Sequence, residues 1–381
     1  MEKPARVDYI DWLRVITTLS VFIFHSARFF DSFSDWHVKN SLYWIGGDII
    51  VAFMSRWIMP MFMVLAGAST YYSLKSRSAG QYARERVLRL LVPFLFGVLV
   101  IIMPQAYYEL AYRNKLPCTN LWDCYVLFVL NLPQRFADFS FYHLWFLIVL
   151  FIFSLICLPL FLDLFKKGKG LLGMLADQIN SPWALMLLLI LPLALVDIFI
   201  FPGTFYGSRD AGGWSYVDHF LFFIAGYVIF AIPNMNEVLR KMGWYVTAGV
   251  LLAGAAFIPL IGHLVDWKNS YGTAGYAAAQ TVSAALTWCL MLCIINLGRR
   301  FLNFKNGFLS YASEAVLPFY ILHQTVLIVI GYYVVQLDWH PALKYLVIAV
   351  VSFTLIMALY DLLIKRIKVL RFLFGMRTGN K

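Results

Sequence analysis

The chain has 381 residues, of which 61% are hydrophobic, 18% aromatic and only 13% charged, where a soluble domain carries roughly 45–50% apolar and about 25% charged residues. That balance excludes a soluble globular protein and reads as an all-α polytopic membrane protein, one integral domain over 1–381, because repeated apolar runs near twenty residues cross a bilayer as helices. The formal net charge of +11 is the surplus expected of basic cytoplasmic loops rather than a sign of nucleic acid, and five cysteines with no zinc-type spacing exclude a disulfide scaffold and predict no metal site.

Ten spanning segments are predicted, with cores at 10–30, 50–72, 88–111, 142–164, 183–202, 216–233, 243–263, 274–297, 312–335 and 342–364. The N-terminus and alternate loops (75–86, 166–169, 240–241, 299–305 and 365–381) hold 20 of the 31 basic residues, and the opposite set holds eight. The positive-inside rule then places both termini in the cytoplasm, and the expected location is a bacterial-type inner (plasma) membrane.

The first segment carries Arg14 and, eleven positions on, His25. Eleven α-helical steps of about 100° bring two side chains to one face, about 16 Å apart along the axis. Ionisable groups inside a bilayer normally face protein or water and mark a site. The alternative is that Arg14 snorkels to the headgroups and His25 packs against a polar neighbour. Arg14 also interrupts the apolar run, so the segment reads as a retained span rather than a cleaved signal peptide.

Pro60 in the second segment predicts a bend. Arg84, Arg86 and Arg89 stand at the cytoplasmic mouth of the third. Arg86 and Arg89, three apart on one helix face, suit gripping phosphates, or they anchor topology. The outer loop 112–141 holds a short apolar helix near 122–132, with Cys118 and Cys124 either paired or free. His143 and Trp145 open the fourth segment from the outside; the tryptophan could equally be an interfacial anchor. Asp218 beside His219 is either a relay or a helix start. Tyr320 and His323, three apart in the ninth segment, suit hydrogen bonds to a hydroxyl-rich ligand or are packed polar groups. His37, His263 and His340 fall in loops or at span ends, and no role is read for them.

These residues together resemble the acyltransferase-3 family of integral membrane O-acyltransferases over essentially the whole chain. The most specific element is the Arg14-x10-His25 spacing. It is supported by Pro60 to Gly67, Arg86-x-x-Arg89 with Pro93, His143 to Leu147, Phe222 to Tyr227, Arg300 to Phe304 and Tyr320 to His323. One departure is Val316, where relatives often have serine four positions before the tyrosine, so a role for that serine does not carry over.

The resemblance implies transfer of an acyl group, acetyl or succinyl in type, from cytoplasmic acyl-coenzyme A to a hydroxyl of an extracytoplasmic carbohydrate or lipid-linked acceptor. Acyl-coenzyme A is then a co-substrate, and no bound cofactor is implied. Such transfer needs a base for the hydroxyl and donors for the developing oxyanion. His25 is expected as base or as a transient acyl-imidazole, and Arg14 as the group that orients the donor or stabilises charge. Arg86 and Arg89 would bind the donor, while His143, Trp145, Tyr320 and His323 would shape the acceptor pocket. A different class fits the intramembrane arginine and histidine as well: a secondary transporter or exporter, disfavoured by the lack of repeat symmetry.

Overall fold

The computed structural model of the protein describes residues 7–166, 181–209, 211–232 and 235–377. The basic residues at 167–169 and at both chain ends, which entered the charge census, lie outside the described residues. All ten predicted segments are helical, and no strand occurs among the described residues. Eight helices are long and apolar enough to cross a bilayer, while the predicted fourth and sixth segments are filled by the shorter apolar helices Tyr142–Ile156 and Tyr216–Ala231.

The first helix, α1, is uninterrupted from Asp8–Ala27. The second segment is split into α2 (Ile45–Met54) and α3 (Ile58–Leu74) by a turn at 55–57. The bend expected at Pro60 therefore falls just ahead of it. Pro60 lies in the first turn of α3, where its missing N–H leaves no intrahelical bond unmade.

The third segment runs through α4 (Ala79–Arg86), a π-helical stretch Val87–Leu91, α5 (Val92–Phe96), a second π-helical stretch Gly97–Ile101 and α6 (Ile102–Tyr112). Pro93 has no N–H for the carbonyl one turn back and would crowd it, and a widened turn relieves that conflict.

In the outer loop, α7 (Leu121–Leu130) forms where the short apolar helix is expected, its first turn capped by the Asn120 side chain accepting from the Asp123 N–H at 3.0 Å. It is followed by α8 (Leu132–Ala137). Cys118 and Cys124 are joined as a disulfide, with Cα atoms 5.3 Å apart, which decides the open alternative.

A 3-10 turn, Tyr142–Leu144, leads into α9 (Trp145–Ile156) and α10 (Leu158–Lys166). Then come α11 (Pro182–Phe199), α12 (Tyr216–Ala231), α13 (Met235–Lys241), α14 (Gly243–Val265), α15 (Trp267–Ser270), α16 (Ala274–Phe301), α17 (Gly307–Val334), α18 (Pro341–Leu359) and α19 (Lys368–Leu373). Helix starts follow local chemistry: Ser181, Thr273, Asn306 and His340 each accept from an N–H of the first turn, a cap worth about 1 kcal/mol.

The chain forms two compact units, one of residues 1–14, 55–82 and 153–305, the other of residues 15–54, 83–152 and 306–381. In the first, α12 packs along α3 and α16 packs against α11 and α14. The α3–α12 contact is backbone to backbone. A Cβ built on Gly67 would fall on the Phe223 carbonyl oxygen, and one on Gly226 would fall on the Val64 carbonyl oxygen. Small residues are what allow such an approach between membrane helices. In the same unit Arg209 pairs with Asp197 of α11 and reaches Gln280 of α16 at 3.2 Å, fastening the loop before α12.

Asp218 and His219 settle as a helix start. Ser215 and Asp218 form a reciprocal capping box, with the Ser215 hydroxyl donating to Asp218 at 2.7 Å, and His219 Nε2–H donates to the Ala211 carbonyl at 2.8 Å. In the second unit α17 packs against α6 and α18.

Gly226→Leu should force α3 and α12 apart and lower stability by about 1–3 kcal/mol, the usual cost of overpacking. The drop appears as a lower melting temperature of the detergent-solubilised protein.

Candidate active site

The second unit gathers the imidazoles. Pro318 lies inside α17, and Tyr320 and His323, which follow it on the same helix, are buried. The His323 Nδ1–H donates to the Tyr320 carbonyl at 2.5 Å, while the Tyr320 hydroxyl donates to the His143 carbonyl. In return, His143 Nε2–H donates to the Ile321 carbonyl at 3.0 Å. The 3-10 turn and α17 are thus clamped to each other by side-chain-to-backbone bonds in both directions. Tyr142, just before His143, is held at φ 50°, a left-handed conformation that costs a bulky residue about 1–3 kcal/mol and recurs at functional sites.

A carbonyl only accepts, so these bonds fix which nitrogen of each ring carries the hydrogen. Each ring's remaining nitrogen is bare. His323 Nε2 and His143 Nδ1 are shut off from solvent without a hydrogen-bond partner, as is His25 Nδ1 of α1. The three rings form one cluster, with centroids 5.0 Å apart for His143 and His323 and 5.3 Å for His25 and His323. Buried polar atoms left unpaired cost about 1–3 kcal/mol each and call for an explanation. Three of them fall in this single imidazole cluster. Among the described residues, no three His, Cys, Asp or Glu side chains are placed to share a metal ion.

Trp36 covers His25, its ring stacked at a centroid distance of 5.8 Å and an angle of 14°. Phe29 meets the indole edge-on at 4.7 Å. Arg113, at the end of α6, holds this segment: Nη2 donates to the Trp36 carbonyl at 3.0 Å and Nη1 to Asp35 at 2.8 Å. The hydrogen bond from Arg113 keeps the Asp35 carboxyl below its usual range. Upstream, buried Asp31 accepts from Arg28 at 2.7 Å and from Lys39 at 2.9 Å.

His37 follows Trp36. Its Nδ1–H donates to Glu109 at 2.8 Å, and the Gln324 amide donates to its Nε2 at 2.9 Å. Glu109 also accepts from Arg113 Nε at 3.3 Å.

The structure therefore brings His25, His143, Tyr320 and His323 together. Arg14 belongs to the other unit, where it donates to Asp11 at 2.9 Å and to Ser69 of α3 at 2.8 Å. It and His25 lie on one unbroken helix, so their spacing along α1 stands. Arg86 ends α4 and Arg89 lies in the π-helical stretch that follows. The widened turn between them loosens the one-face argument, which assumes α-helical steps. Trp145 begins α9 with its ring edge-on to Phe146. The tryptophan stacked on His25 is Trp36 instead.

Four residues escape the sequence reading: Trp36, His37, Glu109 and Gln324. Only Gln324 carried a signal, its adjacency to His323.

Trp36→Ala should uncover His25. Modification of His25 by diethyl pyrocarbonate, followed by peptide mass spectrometry, should then run several-fold faster than in the wild type, with the helical content unchanged.

An acyltransferase domain matches residues 7–361. The chain is similar to glucans biosynthesis protein C of Escherichia coli O157:H7 and of Escherichia coli K12, in each case 23% identical over 390 residues that cover 98% of this chain and 95% of the relative. No solved structure matches it. With the match spanning nearly every helix described above, the chain belongs to the acyltransferase-3 family of membrane acyltransferases, enzymes that transfer groups other than amino-acyl groups.

Proposed function

We propose that this acyltransferase moves an acetyl- or succinyl-type acyl group from cytoplasmic acyl-coenzyme A to a hydroxyl of an extracytoplasmic glycan, in a bacterial-type inner membrane with both termini cytoplasmic. The observation that carries the reading is the imidazole cluster of His25, His143 and His323, with a buried unpartnered nitrogen on each ring and the Trp36 indole stacked on His25. An aromatic plane beside fixed donors and acceptors suits a sugar hydroxyl. Family membership favours transfer over a solute path, and the printed name of the relatives favours a glucan-type acceptor.

In this reading His25 acts on the transferring acyl group, as base or as transient acyl-imidazole. Arg14 orients the donor or stabilises charge on the thioester carbonyl. Arg86 and Arg89 hold the donor's phosphates through charge-assisted hydrogen bonds. His143, Trp145, Tyr320 and His323 shape the acceptor pocket, joined by Trp36.

The test is incubation of the purified protein in nanodiscs with acetyl- or succinyl-coenzyme A and extracted envelope glycans, with mass spectrometry for the added ester. His25→Ala should lower ester formation by about 10²-fold or more while the protein stays folded; near-normal turnover would overturn its role. The double variant Arg86→Ala with Arg89→Ala should weaken coenzyme A binding about 10-fold or more, the loss expected of charge-assisted bonds. Unchanged affinity by calorimetry would return the two arginines to a topological role.

A further inference from the structure

The three clustered imidazoles share a chemical gap: among the described residues, none of them has a carboxylate partner. A proton taken from an attacking hydroxyl becomes a positive charge, and a charge buried without a counter-ion is costly. One imidazole at this site is built differently. His37 has Glu109 on its Nδ1 at 2.8 Å, and its Nε2 lone pair is marked by the donor facing it, the Gln324 amide at 2.9 Å. Glu109 is in turn steadied by Arg113.

We infer that His37, oriented by Glu109, is the base that takes the proton of the acceptor hydroxyl, which leaves His25 the acyl-imidazole role of the reading above. The inference deepens the acyl-transfer reading and rests on it. A carboxylate behind an imidazole fixes its tautomer and stabilises the imidazolium once formed, the same division of labour as in a hydrolase triad.

His37 is bound into the cluster from several sides. Its ring lies 5.2 Å from Trp36, which stacks on His25, and 5.2 Å from Tyr142, the neighbour of His143. Gln324 follows His323 in α17. The histidine is also more accessible than His143 and His323, with its side chain 20% exposed where those two are buried. The Gln324 amide stands where a substrate hydroxyl would donate, and an entering hydroxyl replaces it.

The step balances. The hydroxyl oxygen bonds to the acyl carbon as its proton passes to His37 Nε2. The bond from that carbon to the donor sulfur, or to a His25 nitrogen if the acyl group rests there first, breaks with its electron pair on the leaving atom. His37 then yields the proton, and the thiolate gains one. The sum is thioester plus alcohol giving ester plus thiol.

The experiment uses the full-length protein in nanodiscs, scored for ester formation, for its pH profile and for melting temperature. The groups facing His37 are Glu109 from α6 with Arg113 behind it, Gln324 from α17, Tyr142 and His143 from the 3-10 turn, and His25 from α1, and Glu109→Gln alters one of these alone. His37→Gln should lose about 10²-fold or more in ester formation at wild-type melting temperature. Glu109→Gln keeps the shape but removes the anion, so the imidazolium forms less readily. Turnover should fall, and the acid limb of the profile should move to lower pH.

His37→Gln within twofold of wild type overturns the inference. So does a Glu109→Gln enzyme that is slower with an unmoved acid limb, which would make the pair merely structural. Should His37→Gln fail to fold, the Glu109→Gln profile decides alone. Failure of the wild type to form any ester sinks the acyl-transfer reading itself, whereas an active wild type with an unaffected His37→Gln sinks only the assignment made to His37.

Discussion

The clamp between α17 and the turn before α9 is the constraint on which the site depends. Tyr320 donates to the His143 carbonyl while His143 donates to the Ile321 carbonyl, so two segments far apart in sequence fix each other's backbone. Because carbonyls only accept, the clamp also selects ring tautomers and leaves one bare nitrogen on each of His143 and His323. A geometric device thereby becomes a chemical one. Polar groups at membrane depth must find partners within the protein, which is why the bonds run to backbone carbonyls rather than to water.

Around that clamp the chain spends regularity to place side chains. Tyr142 sits at positive φ, and two π-helical stretches interrupt the third segment. The first stretch lies just ahead of Pro93, which cannot donate, and Tyr142 leads directly into His143, which faces α17. In the other unit the reverse holds. Gly67 and Gly226 remove side chains so that α3 and α12 meet along their backbones, and the family-like stretches Pro60 to Gly67 and Phe222 to Tyr227 find a packing explanation there.

The loop after α1 is ordered by charge as well as by burial of Phe29, Phe30 and Val38. Asp31 collects Arg28 and Lys39, and Arg113 collects Asp35, Glu109 and the Trp36 carbonyl. These contacts place the aromatic cover of His25 and bring a carboxylate behind His37. The same loop therefore supplies both the plane over one imidazole and the counter-ion beside another.

The amino-acid sequence by itself determined the class, the helices and the membrane setting, because apolar run length, caps and prolines act locally and can be read residue by residue. It also determined the spacing of Arg14 and His25 along α1, since helical periodicity alone sets it, and it singled out His143, Tyr320 and His323. What only the tertiary structure decided is the meeting of those residues and the company they keep: Trp36 on His25, Glu109 behind His37, Gln324 facing it, and the disulfide of Cys118 with Cys124. Contacts such as Gln324 to His37 join residues 287 positions apart, and no local pattern encodes a partner at that distance. The helical step between Arg86 and Arg89 was likewise decided in three dimensions, where a π-helical stretch replaced the α-helical spacing that periodicity assumes.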